Sequence, residues 1–137
     1  MKTVTIHNLK DSSAQEVYDF IANHLLTQGC KAERSDKALS CVYRLEQEGR
    51  VLRCAAGCLI PDEDYKAEFE KGGSWKSIVH GYFPEEGMYH IDLIAALQSL
   101  HDSSSMYDWP GALTRVAIDF NLIPFKHEPD GKAETTS

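Results

Sequence analysis

The chain is organised around a stretch near its middle, Arg53-Cys54-Ala55-Ala56-Gly57-Cys58-Leu59-Ile60-Pro61-Asp62-Glu63-Asp64-Tyr65. Ala55, Ala56 and Gly57 have almost no side chain, so other backbone segments can approach them closely. Cys54 and Cys58 are four residues apart and would lie one above the other on a helical turn. The first half of the stretch therefore predicts a packing hub, and the second half opens an acidic surface.

Upstream of this hub, the sequence predicts one helix and one β-hairpin. Ser13 and Glu16 fit a capping box, and apolar residues then recur at helical spacing as far as Gly29, a natural helix end. We therefore predict a helix over 14–28. Residues 3–9 fit a short strand or a lead-in, and the polar residues 30–39 predict a loop. Two β-rich runs, 40–45 and 50–54, flank a turn at 46–49 and predict a hairpin. Its inner face would carry Cys41, Tyr43 and Leu45, and its outside or edge would carry Arg44, Arg50 and Arg53.

Downstream of the hub, the sequence predicts helices. Asp62 is placed to cap a short helix over 63–70 with Tyr65 and Phe69 facing inward. Ser74 is placed to cap a second one. Residues 89–101 predict a strong helix, and Asp108-Trp109-Pro110 begins the last, with Asp as the cap and Pro in the first turn. The predicted apolar stripes of the last three are Trp75, Ile78, Val79 and Tyr82; Leu93, Ile94, Leu97 and Leu100; and Leu113, Val116, Ala117 and Phe120.

These elements predict an α+β fold. It consists of a single small domain over 1–125, in which the β-hairpin packs against three main α-helices plus short helices. The polar residues 126–137, with a proline and a glycine, predict a disordered tail. A length of 137 residues fits one domain.

The composition predicts a cytoplasmic protein. No apolar run reaches about 18 residues, the length that a membrane span needs, and the first residues lack the apolar core of a signal peptide. The chain is therefore expected in the cytoplasm of a bacterium, or of the host of something that infects one. The four cysteines are expected to be free thiols in that reducing compartment.

The negative charge is concentrated in the second half of the chain. The formal net charge is −7, and residues 62–119 alone carry four Lys/Arg against eleven Asp/Glu, whereas residues 1–61 carry eight against seven. Binding to nucleic acid needs Lys and Arg to displace counterions from phosphates, so direct nucleic-acid binding is not expected. A partner with a basic surface is favoured instead.

Several motifs resemble a family of small uncharacterised proteins found in phages and prophages of Gram-negative bacteria. The resemblance covers roughly residues 12–122 and implies a phage accessory protein, without implying a reaction. The chain differs from the family pattern in its longer 30–39 loop and its charged tail. The motifs are residues 15–20, 24–28, 41–44, 97–102 and the CxxGCLIPDEDY-type run over 54–65.

The cysteines permit a metal site or a nucleophile, and a structural role is favoured over both. Zinc could be held by Cys41, Cys54 and Cys58 with His80 or His90, but structural zinc sites use a second cysteine pair, which is not present. A Cys54 or Cys58 nucleophile would need one of His80, His90 and His101 as base and a carboxylate such as Asp92 or Asp102 to orient it. No local signature of a hydrolase accompanies these residues. Buried packing is the common role of free cysteines, so no metal and no cofactor is predicted.

The acidic residues form the predicted partner-binding surface. The carboxylates after Pro61 lack the spacing of a calcium loop, and a solvated face with Asp62 as a cap is their ordinary role. The same face could bind a protein partner, for instance by imitating a phosphate backbone. The hairpin arginines could alternatively bind a small phosphorylated ligand. The predicted partner-binding residues are Asp62, Glu63, Asp64, Glu68, Glu70, Glu85 and Glu86.

The predicted function is therefore a non-catalytic phage or prophage accessory protein. It would bind and modulate, and most simply inhibit, a host protein such as a defence or nucleic-acid-acting enzyme. The alternative is a protein that binds a small ligand, such as a nucleotide or a metal, or a small enzyme with a Cys/His site. A homodimer is compatible with the free edge of a short hairpin.

Overall fold

Helix α1 spans Ala14–Gln28 and has the ends that the sequence predicts. In the computed structural model, which describes residues 1–34, 40–71 and 74–126, Ser13 and Glu16 form the capping box, and Gly29 ends the helix at a positive φ of 75°. The preceding residues 3–9 form no strand. Val4, Ile6 and Leu9 are nevertheless fully buried, because the segment runs over the hub and the Ile6 N–H donates to the Leu59 carbonyl at 2.9 Å.

The hairpin is shorter than predicted: its first strand begins four residues later than the predicted run 40–45, whereas its second strand lies within the predicted run 50–54. Strands β3 (Arg44–Gln47) and β4 (Arg50–Arg53) pair antiparallel, with Leu45 opposite Leu52. The turn is only Glu48-Gly49, both with positive φ, as in the tight two-residue turns whose twist suits a hairpin. The predicted loop over 30–39 instead contributes β1 (Glu33–Arg34), which pairs with β2 (Ser40–Cys41). Cys41 therefore belongs to this second ribbon, and the rest of the loop lies outside the described residues.

The hub packs where Gly57 meets the backbone of Tyr43. A Cβ atom at Gly57 would overlap the Tyr43 carbonyl oxygen and lie 2.9 Å from the carbonyl carbon. Cys54, Ala55 and Ala56 are fully buried beside it, and Gly57–Leu59 forms a 3-10 turn. The predicted packing role of the small residues thus matches the position of this stretch at the centre of the structure.

The acidic segment after Pro61 is not the single helix that was predicted. It forms two 3-10 turns, Asp62–Asp64 and Ala67–Lys71. Asp62 does not cap a helix, because its carboxylate is bound by Arg44 and Arg53. Phe69 faces the core as predicted, and Tyr65 is half-buried.

The remaining α-helices are α2 (Trp75–Tyr82), α3 (Ile91–Ser103) and α4 (Trp109–Asp119). Ser74 caps α2 through its side chain, as predicted, whereas Asp108 makes no side-chain cap for α4. Tyr82, placed in the predicted stripe, is 42% exposed. Further 3-10 turns lie at Leu9–Asp11, Glu86–Met88 and Met106–Asp108.

The predicted α+β class is confirmed. One main core contains residues from all four α-helices, from the N-terminal segment and from the hub. A second, small cluster consists of Ala32, Val42 and Leu52 and lies at the two ribbons. Among the described residues, no helix is long and apolar enough to cross a membrane. Beyond Lys126, the predicted tail lies outside the described residues.

Candidate functional site

Asp62 lies between two arginines of the hairpin. Its Oδ1 accepts from Arg44 Nε at 3.1 Å and from Arg53 Nη2 at 2.6 Å. These charge-assisted hydrogen bonds, first that of Arg53, hold the pKa of the Asp62 carboxyl below its usual value. Asp62 is therefore engaged within the protein, and its charge is offset locally.

Glu70 also faces the protein. Its carboxylate accepts from the backbone N–H of Tyr43 at 3.1 and 3.2 Å, from that of Arg44 at 3.3 Å and from the Tyr65 hydroxyl at 2.6 Å. The two backbone donors lie where the chain leaves the ribbon β1–β2 and enters β3. Glu70 thus accepts hydrogen bonds from backbone N–H groups that would otherwise need a neighbouring strand. Its role in the fold is therefore structural.

His7 brings two of the predicted acidic residues together. Its Nε2 lies 2.7 Å from Asp64 Oδ2, and its Nδ1 lies 3.1 Å from Glu86 Oε1. The hydrogen bonds, first that to Asp64 and then that to Glu86, raise the pKa of the His7 imidazole above its usual value. The acidic turns at 62–64 and 85–86, separated in sequence, therefore converge on one exposed histidine.

A cluster of aromatic side chains packs between the chain segments that carry these two turns. Phe69 packs edge-on against Tyr65, Tyr82 and Phe83, with ring centroids 5.8, 4.7 and 5.9 Å away. Gly87 allows the second turn to close on α2, since a Cβ there would lie 2.9 Å from Phe83 Cβ. The acidic turns therefore rest on a packed base.

An open cavity lies beside Glu86. It has a volume of about 410 Å³ and is lined by residues 82–86. Tyr82, which lines it, is 42% exposed, and Met88 and Tyr89, which follow Glu86 closely in the chain, are 44% exposed each. We use the name acidic–aromatic surface for Asp64, Tyr82, Glu85, Glu86, Met88 and Tyr89.

The predicted acidic residues thus fall into separate groups. Asp64, Glu85 and Glu86 lie on the acidic–aromatic surface, whereas Asp62 and Glu70 are engaged by the hairpin. Glu63 and Glu68 are exposed on the two 3-10 turns between Pro61 and Lys71.

The thiols of the hub have surroundings that oppose reactivity. Cys54 and Cys58 are free, the Gly57 N–H donates to Cys54 Sγ at 3.2 Å, and Cys58 Sγ donates to the Ala55 carbonyl at 3.1 Å. Burial raises the pKa of both thiols, which disfavours the thiolate that a nucleophile or a metal ligand needs. Within the described residues there is no group of three or more His, Cys, Asp or Glu placed to hold a metal. The Cys41 side chain lies outside that description.

The histidines proposed as bases are engaged elsewhere, except His80, which is exposed on α2. His90 Nε2 lies 2.7 Å from the Ser12 carbonyl oxygen. His101 is fully buried, and its Nε2 accepts the Ala32 N–H at 3.2 Å while its Nδ1 lies 2.8 Å from Asp102 Oδ1. The ring proton is therefore on Nδ1, and Nε2 has no lone pair left to deprotonate a thiol. His101 holds the start of β1 to α3.

Sequence reasoning missed His7, Gln28 and Gln98. Gln28 imitates a neighbouring strand at β4, since its Oε1 accepts the Arg53 N–H at 2.8 Å and its Nε2 donates to the Arg53 carbonyl at 2.9 Å. Gln98 Oε1 accepts the Ala56 N–H at 2.8 Å. A polar residue on the predicted inner side of a helix was the available signal for both glutamines. The edge of β4 is therefore covered at Arg53, so homodimer pairing of the kind suggested by the sequence could not use β4 at that position.

Replacement of His7 by Gln should change the pH dependence of stability. The pKa of His7 is raised in the folded state, so its contribution is fully present below about pH 6.5, the value for an unfolded chain, and is lost as the pH rises through the folded-state pKa. The urea midpoint should therefore separate wild type from His7→Gln more at pH 5.5 than at pH 8.5. The exposed His80→Gln variant is the control. Equal separation at the two pH values would contradict the ion pairs.

The acidic–aromatic surface combines groups that suit binding rather than reaction. Carboxylates attract a cationic surface from a distance, and exposed Tyr and Met side chains supply contact area once the partner is seated. No protein-family model matches the chain, and neither a curated protein nor a solved structure matches it.

Proposed function

We propose that the protein is a non-catalytic phage or prophage accessory protein that binds a host protein through the acidic–aromatic surface and inhibits it. The observation that carries the proposal is that Asp64 and Glu86 share one basic partner, His7, beside the cavity at 82–86. Glu85 also lines that cavity, so carboxylates outnumber basic groups among the described residues there, whereas Asp62 alone faces two arginines. The resemblance to phage and prophage proteins supports the biological setting, and the acidic second half of the chain supports the choice of a basic partner.

The proposed partner presents a basic groove or patch. Host enzymes that act on nucleic acid, including defence enzymes, carry such grooves because their substrates are polyanions. An acidic surface with a firm aromatic base can occupy such a groove and compete with the substrate. The exposed Tyr82, Met88 and Tyr89 would provide the apolar contacts that increase the lifetime of the complex.

Charge reversal on this side of the molecule tests the proposal. We expect affinity capture from a bacterial host lysate, followed by mass spectrometry, to recover a basic protein with wild type and to lose it with the double variant Glu85→Lys and Glu86→Lys. Both residues are exposed on the acidic–aromatic surface, and an exposed ion pair such as that of Glu86 with His7 contributes little to stability, so the fold should persist. Binding of the purified partner should weaken at least tenfold in the variant and should weaken with added salt.

The matched control is Glu48→Lys with Asp119→Lys, which makes the same change in net charge on the hairpin turn and at the end of α4. The control should bind the partner as wild type does. Equal loss of binding in the control and the test variant would show only a dependence on net charge. Failure of wild type to retain any partner from host lysates would contradict the proposed function.

A further inference from the structure

A polar groove lies between α1 and β4, and it shares no residue with the acidic–aromatic surface. It has a volume of about 420 Å³. A second cavity of about 310 Å³ continues from it, because Phe20, His24 and Arg53 line both. Each of the two volumes falls within the range of small-molecule sites.

The lining of the larger cavity is basic, whereas the molecule as a whole is acidic. Arg50 and Arg53 line it, and none of its described lining residues is acidic, although the whole chain has a net charge of −7. Arg53 is paired with Asp62, which lines the smaller cavity. Arg50 makes a hydrogen bond to the Gln28 carbonyl oxygen at 3.2 Å. A guanidinium has five N–H donors, so Arg50 keeps donors for an anion.

His24 adds a hydrogen-bond acceptor to the groove. Its Nε2 lies 2.8 Å from the Arg53 carbonyl oxygen, and burial lowers the pKa of the imidazole below its usual value. The ring is therefore neutral near pH 7, with its proton on Nε2 toward the carbonyl and a lone pair on Nδ1. Asn23 and Thr27, one helical turn apart, line the groove with further hydrogen-bonding groups.

Two apolar side chains complete the lining. Phe20 belongs to both cavities, and Val51, which is 38% exposed, flanks the larger one. An aromatic wall next to a guanidinium suits a ligand that has a planar ring at one end and an anion at the other. Polar groups between them suit a sugar.

We propose that this groove binds a nucleoside monophosphate, with the phosphate on Arg50 and the base against Phe20. Phosphate is the anion that the planar guanidinium fork recognises well. Asn23 and Thr27 line the groove further along α1 from Phe20, and in this arrangement they would contact the sugar. The acidic–aromatic surface is not needed for this binding, so the inference stands or fails independently of the proposed partner.

Isothermal titration calorimetry at low salt tests the assignment with the four ribonucleoside monophosphates, adenosine and inorganic phosphate as separate titrants. We expect at least one monophosphate to bind at least tenfold more tightly than adenosine or inorganic phosphate. Arg50→Gln should weaken that binding at least tenfold, and Phe20→Leu several-fold. The same monophosphate should shift the backbone amide NMR signals of Asn23 and Val51, which line the groove.

Arg115→Gln, on the exposed side of α4, is the matched control and should bind as wild type does. Circular dichroism of Arg50→Gln should match that of wild type, so that a loss of binding reports on the ligand rather than on the fold. Absence of binding by all four monophosphates, or unchanged binding in Arg50→Gln, would overturn the proposal. Inorganic phosphate binding as tightly as the monophosphates would overturn the assignment to a nucleotide.

Discussion

Replacement of Gly57 by Ala should lower the free energy of unfolding by about 3 kcal/mol, at the upper end of the usual cost of overpacking. The new Cβ would overlap the Tyr43 carbonyl oxygen. That oxygen also accepts the Cys54 N–H at 3.4 Å, so moving it away would disturb the junction of the hub with the hairpin. Urea denaturation followed by circular dichroism measures the change. Gly57→Leu should be more severe and should give little folded protein.

Gly111→Ala is the matched control for this prediction. Gly111 lies in α4, and a Cβ there would meet nothing within 4 Å. The substitution should therefore raise the free energy of unfolding by about 0.5–1 kcal/mol, because alanine favours a helix over glycine. If Gly57→Ala were as stable as wild type while Gly111→Ala behaved as expected, the close approach at Gly57 would be refuted.

The parts of the fold that were predictable are those specified by neighbouring residues. Ser13, Glu16 and Gly29 define both ends of α1. The helical spacing of the apolar residues from Leu93 to Leu100 defines the buried side of α3, and all four residues of that predicted stripe lie in the core. The close approach of other backbone to the hub was predictable from the small side chains of the hub. In each case the physical cause acts within a few residues, so the pattern in the sequence contains it.

The features that were missed depend on contacts between distant residues. The ribbon of β1 and β2 has only two residues in each strand, too few for an alternation to show. Asp62 was expected to cap a helix, and the competing interaction came from Arg44 and Arg53 on the hairpin. The His7 contacts span 57 and 79 positions. No local pattern specifies which carboxylates meet a given histidine.

Polar side chains complete the hub where secondary structure does not. Gln28 pairs with the backbone of Arg53, and Gln98 accepts the Ala56 N–H. A backbone that turns at Ala55, Ala56 and Gly57 exposes groups that no strand pairs, and buried groups of this kind must find partners. The hub is therefore held by hydrogen bonds from α1 and α3 as well as by apolar packing.

Glu70→Ala should lower the free energy of unfolding by about 3 kcal/mol, although Glu70 belongs to a segment that the sequence predicts to be a solvated acidic face. The substitution removes the acceptor of the Tyr43 and Arg44 N–H groups and of the Tyr65 hydroxyl. Each donor left without a partner away from water costs about 1–3 kcal/mol. Tyr65 is only half-buried, so water can replace part of its loss.

Glu68→Ala is the control, since Glu68 is exposed on the same 3-10 turn, and its effect should stay within about 0.5 kcal/mol. Glu70→Gln should fall between the two variants, because one carboxamide oxygen can still accept while the amide N–H₂ faces a donor. Urea denaturation gives the stabilities, and hydrogen exchange at Tyr43 and Arg44 should accelerate in Glu70→Ala. Equal stability of Glu70→Ala and Glu68→Ala would contradict the structural role of Glu70, because the hairpin would then not require its carboxylate. Glu70 would again be a candidate for partner binding.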